Sequence, residues 1–266
     1  MILLRRLVVG LVALIAVLAA GLAAVVVVDR VRTDGRVEAI ANVRLPGADG
    51  DVLAYRADAP GEGPHPAVVM IHEFYGLRED VAGKADALAR DGYVVVAPDT
   101  FRGVSVDGVP AAIWNVLSTP DERVDADLRA VVDARVADPT VDPDRIVVMG
   151  FCYGGGAALR YSTGDPRLAG TGVFYGTPIT DPDRLAALPG PLLGVFGAED
   201  VSIPLREVEA FESALEAAGV PHDVRIYDGV GHAFVGGMDE IRAGGAAGEA
   251  WEAFRAWTAQ VTAPGE

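Results

Sequence analysis

Apolar residues are distributed along this chain in two rhythms. From Leu7 to Val28 there are 22 residues without a charge. As a helix they would be about 33 Å long, enough to cross a hydrocarbon core of about 30 Å. Beyond them the apolar runs become short: Ala67–Ile71, Tyr93–Ala97, Ile146–Val148, Gly172–Tyr175 and Leu192–Phe196, with Val224-Arg225-Ile226-Tyr227 as a last strand. Runs that are apolar at successive positions suit strands covered on both faces of a parallel sheet. Val37 to Leu45 and Val52 to Ala57 read as two further strands, joined by the turn-rich Pro46-Gly47-Ala48-Asp49-Gly50.

Between these runs the apolar spacing is helical. Val81, Ala85, Leu88 and Ala89 mark a helix over 79–90, stopped by Gly92. Thr119-Pro120-Asp121-Glu122 has the form of a capping box and opens a helix with Val124, Leu128, Val131 and Val132 on one face. A helix over 204–218 ends at Gly219, and a closing helix over 246–261 carries Trp251, Phe254 and Trp257. Residues 100–118 lack strong periodicity and are expected to lie over the sheet's edge. Strands alternating with helices predict an α/β fold: a mainly parallel sheet of about eight strands with helices on both faces, preceded by one N-terminal transmembrane helix.

The expected organisation is a cytoplasmic tail over 1–6, an anchor over 7–28, a polar linker over 29–36 (DRVRTDGR) and one catalytic domain over 37–266. Arg5 and Arg6 before the apolar run favour a cytoplasmic N-terminus, which puts the domain outside the cell membrane. The rival is a secreted protein released by signal cleavage. A secretory signal normally has an apolar part of about 7–15 residues ending in an A-x-A-like site. Here the run is longer, contains no strict A-x-A and ends in four valines, which favours an uncleaved anchor in the lipid bilayer. The net charge of −16 argues against a nucleic-acid partner, and one cysteine rules out an intrachain disulfide.

That cysteine sits in Met149-Gly150-Phe151-Cys152-Tyr153-Gly154-Gly155-Gly156, between an apolar strand and a small-residue helix. Gly150-x-Cys152-x-Gly154 is the nucleophile-elbow pattern with a thiol at the apex. The glycines let strand and helix approach, and the helix N-terminus aims its N–H groups at the apex, which is expected to lower the thiol pKa. Asp200 and His232 also follow strand ends, so the chain order is nucleophile, acid, base. Cys152 would supply a thiolate, His232 would move its proton, and Asp200 would hold the imidazole tautomer. Asp200 could also cap the helix near Pro204. The backbone N–H groups of Tyr153 and Phe74 are the expected oxyanion-hole donors. His72-Glu73 lacks the second His of a metalloprotease motif, and His65 and His222 sit at strand starts, so no metal site is expected.

Together, Gly150-Phe151-Cys152-Tyr153-Gly154-Gly155, His72-Glu73-Phe74-Tyr75-Gly76, Ala97-Pro98-Asp99-Thr100-Phe101-Arg102, Phe196-Gly197-Ala198-Glu199-Asp200 and Gly231-His232-Ala233-Phe234 resemble the dienelactone hydrolase family (carboxymethylenebutenolidases), over roughly residues 37–262. The resemblance implies a cofactor-free hydrolase that opens a small-molecule ester or enol-lactone through a thioester-type acyl-enzyme. It implies that Glu73 contacts and gates the resting thiol, and that Arg102 binds a substrate carboxylate. Gly236 departs from the pattern, because dienelactone-cleaving members carry a second carboxylate-binding Arg four residues after the His. Other outcomes of the same residues are a general carboxylesterase or thioesterase, an acyltransferase, or a degenerate fold that binds a partner or senses oxidants through Cys152.

Overall fold

The computed structural model describes residues 2–264, so Met1 of the expected tail and residues 265–266 of the expected domain lie outside the described residues. A long helix, α1 (Ile2–Arg32), and a one-turn helix, α2 (Arg36–Ile40), lead into β1 (Val43–Leu45) and β2 (Val52–Ala57). Then follow β3 (His65–Ile71), α3 (Glu79–Arg90), β4 (Val94–Pro98), α4 (Val109–Leu117), α5 (Asp121–Val136), β5 (Val141–Phe151) and α6 (Tyr153–Ser162). The chain continues through β6 (Gly170–Phe174), α7 (Pro182–Leu185), β7 (Leu192–Gly197), α8 (Leu205–Ala218), β8 (His222–Tyr227), α9 (Met238–Ala243) and α10 (Gly245–Val261).

The strands form one eight-stranded sheet in the order β1-β2-β4-β3-β5-β6-β7-β8. Only β2 runs against its neighbours, so the sheet is parallel from β4 to β8. The alternation of side chains explains why the central strands are apolar throughout. Val68 and Met70 of β3 pack with Leu88 of α3 and Phe254 of α10 on one face. Val69 and Ile71 pack with Leu128 and Val132 of α5 on the other. Each face removes apolar area from water at about 25 cal/mol per Å2, and a strand buried on both sides has no polar position to spare. With the strands parallel, their carboxyl ends share one edge, where a ligand crevice is expected.

Four sequence expectations are corrected. Residues 37–40 are helical, not extended, and β1 begins only at Val43. Asn42 is the reason: its side chain donates to the Arg56 carbonyl at 2.8 Å and accepts from the Arg56 N–H at 2.7 Å, which takes the place of the next rung of the ladder. The linker shrinks to Thr33–Gly35, because α1 continues through Asp29, Arg30 and Arg32. Residues 109–117, expected to be irregular, form α4. Its N-terminal cap comes from far away in sequence: the Asp29 carboxylate accepts from the Gly108 N–H at 2.8 Å and the Asp107 N–H at 3.3 Å. The capping box does not form. Pro120 is the N-cap residue of α5, and the Thr119 hydroxyl instead accepts from Arg123 at 3.0 Å.

Candidate active site

Cys152 stands between the end of β5 and the start of α6 with φ 53° and ψ −116°, a conformation that L-residues rarely adopt. Three backbone bonds hold it there. Its N–H donates to the Phe174 carbonyl at 2.9 Å, and its carbonyl accepts from Gly155 and Gly156 at 3.0 and 3.2 Å. The flanking glycines are demanded by close approach. A Cβ on Gly150 would lie 2.2 Å from the Gly154 carbonyl oxygen, and one on Gly154 would lie 2.5 Å from the carbonyl oxygens of Ile71 and His72. The turn therefore pushes one side chain, the thiol, out over the carboxyl edge of the sheet.

His232, in the loop after β8, places Nε2 3.0 Å from the Cys152 sulfur. Its Nδ1 donates to Asp200 Oδ2 at 2.7 Å. Asp200, in the turn after β7, is buried, and its other oxygen accepts from the N–H groups of Ser202 and Ile203 at 2.7 and 3.0 Å. The carboxylate is thus fixed by the turn that leads into α8 while it fixes the imidazole. An Nδ1–H tautomer leaves the Nε2 lone pair facing the thiol.

The backbone N–H groups of Tyr153 and Phe74 lie near the sulfur and favour its thiolate form. His72 helps to set the turn after β3 that carries Phe74. Its imidazole is fully buried, with Nδ1 donating to the Glu73 carbonyl at 2.6 Å and Nε2 accepting from the Thr100 N–H at 3.2 Å. Burial pushes its pKa down to about 4, so the ring is a neutral brace.

The thiol itself departs from expectation. Burial, and then the charge of Glu73, push Cys152 up to about 11, against the pull of the two N–H groups. The resting group is a thiol hydrogen-bonded to an imidazole, and the expected depression of its pKa by the helix N-terminus is overturned by desolvation.

Glu73 does not hydrogen-bond the thiol. Its Oε1 lies 3.3 Å from the Tyr175 hydroxyl, which is also 3.2 Å from the Val235 carbonyl. Burial raises the Glu73 carboxyl pKa, and the nearby Lys84 ammonium opposes the rise. Lys84, the one lysine in the chain, is 1% exposed, with Nζ 4.5 Å from the centre of the Phe151 ring. Burial lowers its pKa, and Asp80, Glu73 and Glu240 counter that. Sequence reasoning missed both Tyr175 and Lys84. Tyr175 follows a strand end, as Asp200 does, and its ring meets His232 edge-on at 5.3 Å. Lys84 could have been noticed as the one charged residue among the apolar positions of its helix.

Arg102 corrects another expectation. Its guanidinium is paired through Nε and Nη2 with the buried Asp127 carboxylate, and Nη1 donates to the carbonyls of Asp49 and Gly50 at 3.1 Å. It does not line the cavity at Cys152 and is not free to hold a substrate carboxylate there. Gly236 lies against the Glu240 carboxylate in a separate polar cavity of about 620 Å3 that Glu73 also lines.

The cavity over the thiol measures about 710 Å3 and reaches from Cys152 and His232 to Ile113, Leu117, Ile179 and Ile203. Two arginines lie along it: Arg160, paired with Asp121 and Asp125, and Arg184, exposed on α7. Among the described residues no group of His, Cys, Asp and Glu side chains has the arrangement of a metal site.

The sequence pattern of the dienelactone hydrolase family matches residues 51–262. A protein of Methylorubrum extorquens, provisionally named carboxymethylenebutenolidase, is 28% identical over 244 residues, covering 86% of this chain and 84% of its own length. An Escherichia coli K12 protein with the same provisional name is 28% identical over 231 residues, covering 81% and 85%. The crystal structure of a provisionally assigned dienelactone hydrolase from Klebsiella pneumoniae superposes with a TM-score of 0.74 at 28% identity, covering 82% of this chain and 97% of the other.

Proposed function

The chain belongs to the dienelactone hydrolase family, and from that premise we propose that it cleaves an ester or lactone with Cys152 as the nucleophile, through a thioester acyl-enzyme. The observation that carries this reading is the line Asp200–His232–Cys152, with contacts of 2.7 and 3.0 Å. His232 Nε2 takes the thiol proton as the sulfur adds to the acyl carbon. The carbonyl oxygen becomes an oxyanion between the N–H groups of Phe74 and Tyr153. Collapse breaks the acyl C–O bond, and the leaving oxygen takes the proton back from Nε2. A water then gives its proton to His232, adds to the thioester carbon and expels the thiolate, which recovers the proton. Asp200 stabilises the imidazolium in both halves.

A thiol held near 11 would not ionise on its own at neutral pH, so proton removal and attack are coupled through His232. With Arg102 committed to Asp127 and no side chain at Gly236, neither family position offers a cation to a substrate carboxylate. The lining by Ile113, Leu117, Ile179 and Ile203 favours an ester or lactone with apolar bulk, and the cations along the cavity are Arg160 and Arg184. Mass spectrometry of protein quenched during turnover of a small activated ester tests the mechanism. The acyl mass should appear on the peptide that contains Cys152, and an unmodified peptide in the steady state of a slowly deacylating ester would overturn the covalent route.

Glu73 is proposed to restrain the thiol electrostatically. Its negative charge disfavours a second negative charge on the sulfur, so Glu73→Gln is expected to let the thiolate form at lower pH. Iodoacetamide labelling of Cys152 followed across pH should shift its whole profile downward. A superimposable profile would remove Glu73 from the electrostatics of the thiol.

The apolar stretch 7–28 lies within α1, whose side chains stand clear of the domain over most of the stretch, and it is long enough to cross a bilayer. A single-pass anchor with the domain outside the cell membrane is the proposed location. Immunoblots of cell fractions should find the full-length chain in the membrane and solubilised only by detergent; a shortened protein in the soluble fraction would contradict the anchor.

A further inference from the structure

The end of α1 is not a free tether. Asp29 caps α4 through Gly108 and Asp107, and the Arg30 guanidinium donates to Asn115 Oδ1 at 2.5 Å. Val26 packs on the small apolar cluster of Val106, Ala111 and Ala112. These contacts begin where the uncharged stretch ends, so α4 is fastened to the domain-side boundary of the segment that would cross the membrane. Ala111, Ala112 and Asn115 occupy the inward side of α4. Its outward side carries Val109, Ile113, Trp114 and Leu117, exposed by 48, 47, 54 and 78%. Their spacing gathers them on one arc of the helix. Ile113 and Leu117 also line the cavity above Cys152. Val201, 91% exposed, precedes the lining residues Ser202 and Ile203 in the chain.

An apolar patch of this kind on a protein surface has a purpose, and a Trp beside aliphatic residues is the composition of a membrane–water boundary. We propose that the outward face of α4 rests in the interface of the bilayer that α1 spans, and that the cavity takes acyl esters or lactones with a hydrocarbon tail directly from that bilayer. The occupant is a lipid surface because the same chain supplies the membrane segment that touches α4. The overall charge of −16 directs this contact to apolar burial rather than attraction to anionic headgroups. A tail entering beside Ile113 and Leu117 would find the apolar side chains of Phe74, Val116, Ile179 and Ile203 in a cavity that Arg160 and Arg184 also line. The substrate class rests on the hydrolytic reading above; the surface does not.

The full chain in phosphatidylcholine nanodiscs provides the test. Trp114 is the exposed tryptophan, since Trp251 and Trp257 are buried. Acyl chains brominated near the headgroup should quench its emission, and Trp114→Phe should abolish that quenching. The paired substitution Val109→Glu/Trp114→Glu lies outside the cavity lining. It should leave hydrolysis of a soluble short-chain ester unchanged and slow hydrolysis of a long-chain ester dissolved in the nanodisc by about tenfold or more, because charge replaces apolar contact at the interface. Equal emission in brominated and plain nanodiscs would overturn the surface. Unchanged long-chain turnover in the paired variant would overturn delivery from the bilayer. Failure of the wild type to cleave either ester would count against the hydrolytic reading and the substrate class, while the quenching measurement still decides the surface.

Discussion

Cys152→Ala should lower kcat for a small activated ester by about 10^4- to 10^6-fold, the range lost when a covalent nucleophile is removed from a catalytic unit that works as a whole. The change is conservative for the fold. Alanine keeps the Cβ, so the strain at φ 53° is the same, and the backbone bonds to Phe174, Gly155 and Gly156 do not involve the side chain. Thermal unfolding should therefore move little while turnover disappears. The Phe74 and Tyr153 N–H groups, proposed as the oxyanion donors, remain, so a residual rate above the uncatalysed one is expected. Steady-state kinetics beside a melting curve separates the outcomes: turnover close to wild type in a folded variant would end the proposal that the thiol performs the chemistry.

The second large effect belongs to His232→Ala, expected to cost roughly 10^3- to 10^5-fold in kcat/KM at pH 7. The pH profile is the sharper readout. In the proposed mechanism the wild-type imidazole takes the proton as the sulfur attacks, so the alkaline rate should not follow the thiolate fraction. Without the imidazole, only the thiolate fraction reacts, and for a thiol at about 11 that fraction grows tenfold per pH unit across the accessible alkaline range. The variant's log rate should thus climb with a slope near one where the wild type is flat. A flat profile in the variant would mean that His232 is not the base for this thiol.

The central parallel strands were legible because a strand covered on both faces must be apolar at every position, and each such run from Ala67 to Phe196 became one, whereas β8 at the sheet's edge carries the exposed Arg225 and Ile226. Cys152, Asp200 and His232 were legible as a set because parallel strands bring their ends to one edge. What escaped depends on partners remote in sequence. The cap of α4 is Asp29, 79 residues from Gly108, and no local pattern announces it. The shortening of β1 hangs on Asn42 reaching Arg56, and the fate of Arg102 on Asp127 of α5. The pKa of the thiol was misjudged for a related reason. A helix N-terminus can be read from sequence, but the burial around the sulfur and the charge of Glu73 exist only once the chain is folded.

The burial of Lys84 has a practical consequence. All other basic side chains in the sequence are arginine or histidine, so the folded domain offers amine-directed reagents no exposed side-chain target. Cross-linkers and labels that seek amines should pass over its surface, and coupling chemistry for imaging or immobilisation must use carboxylates or an introduced group. The same feature makes Lys84 a sentinel. Its Nζ sits against Phe151, one residue before the thiol, beneath α3. An acylated Lys84 recovered after brief exposure to reagent would record that α3 had lifted from the sheet, and the time course of that mark would clock the opening of the fold beside its chemistry.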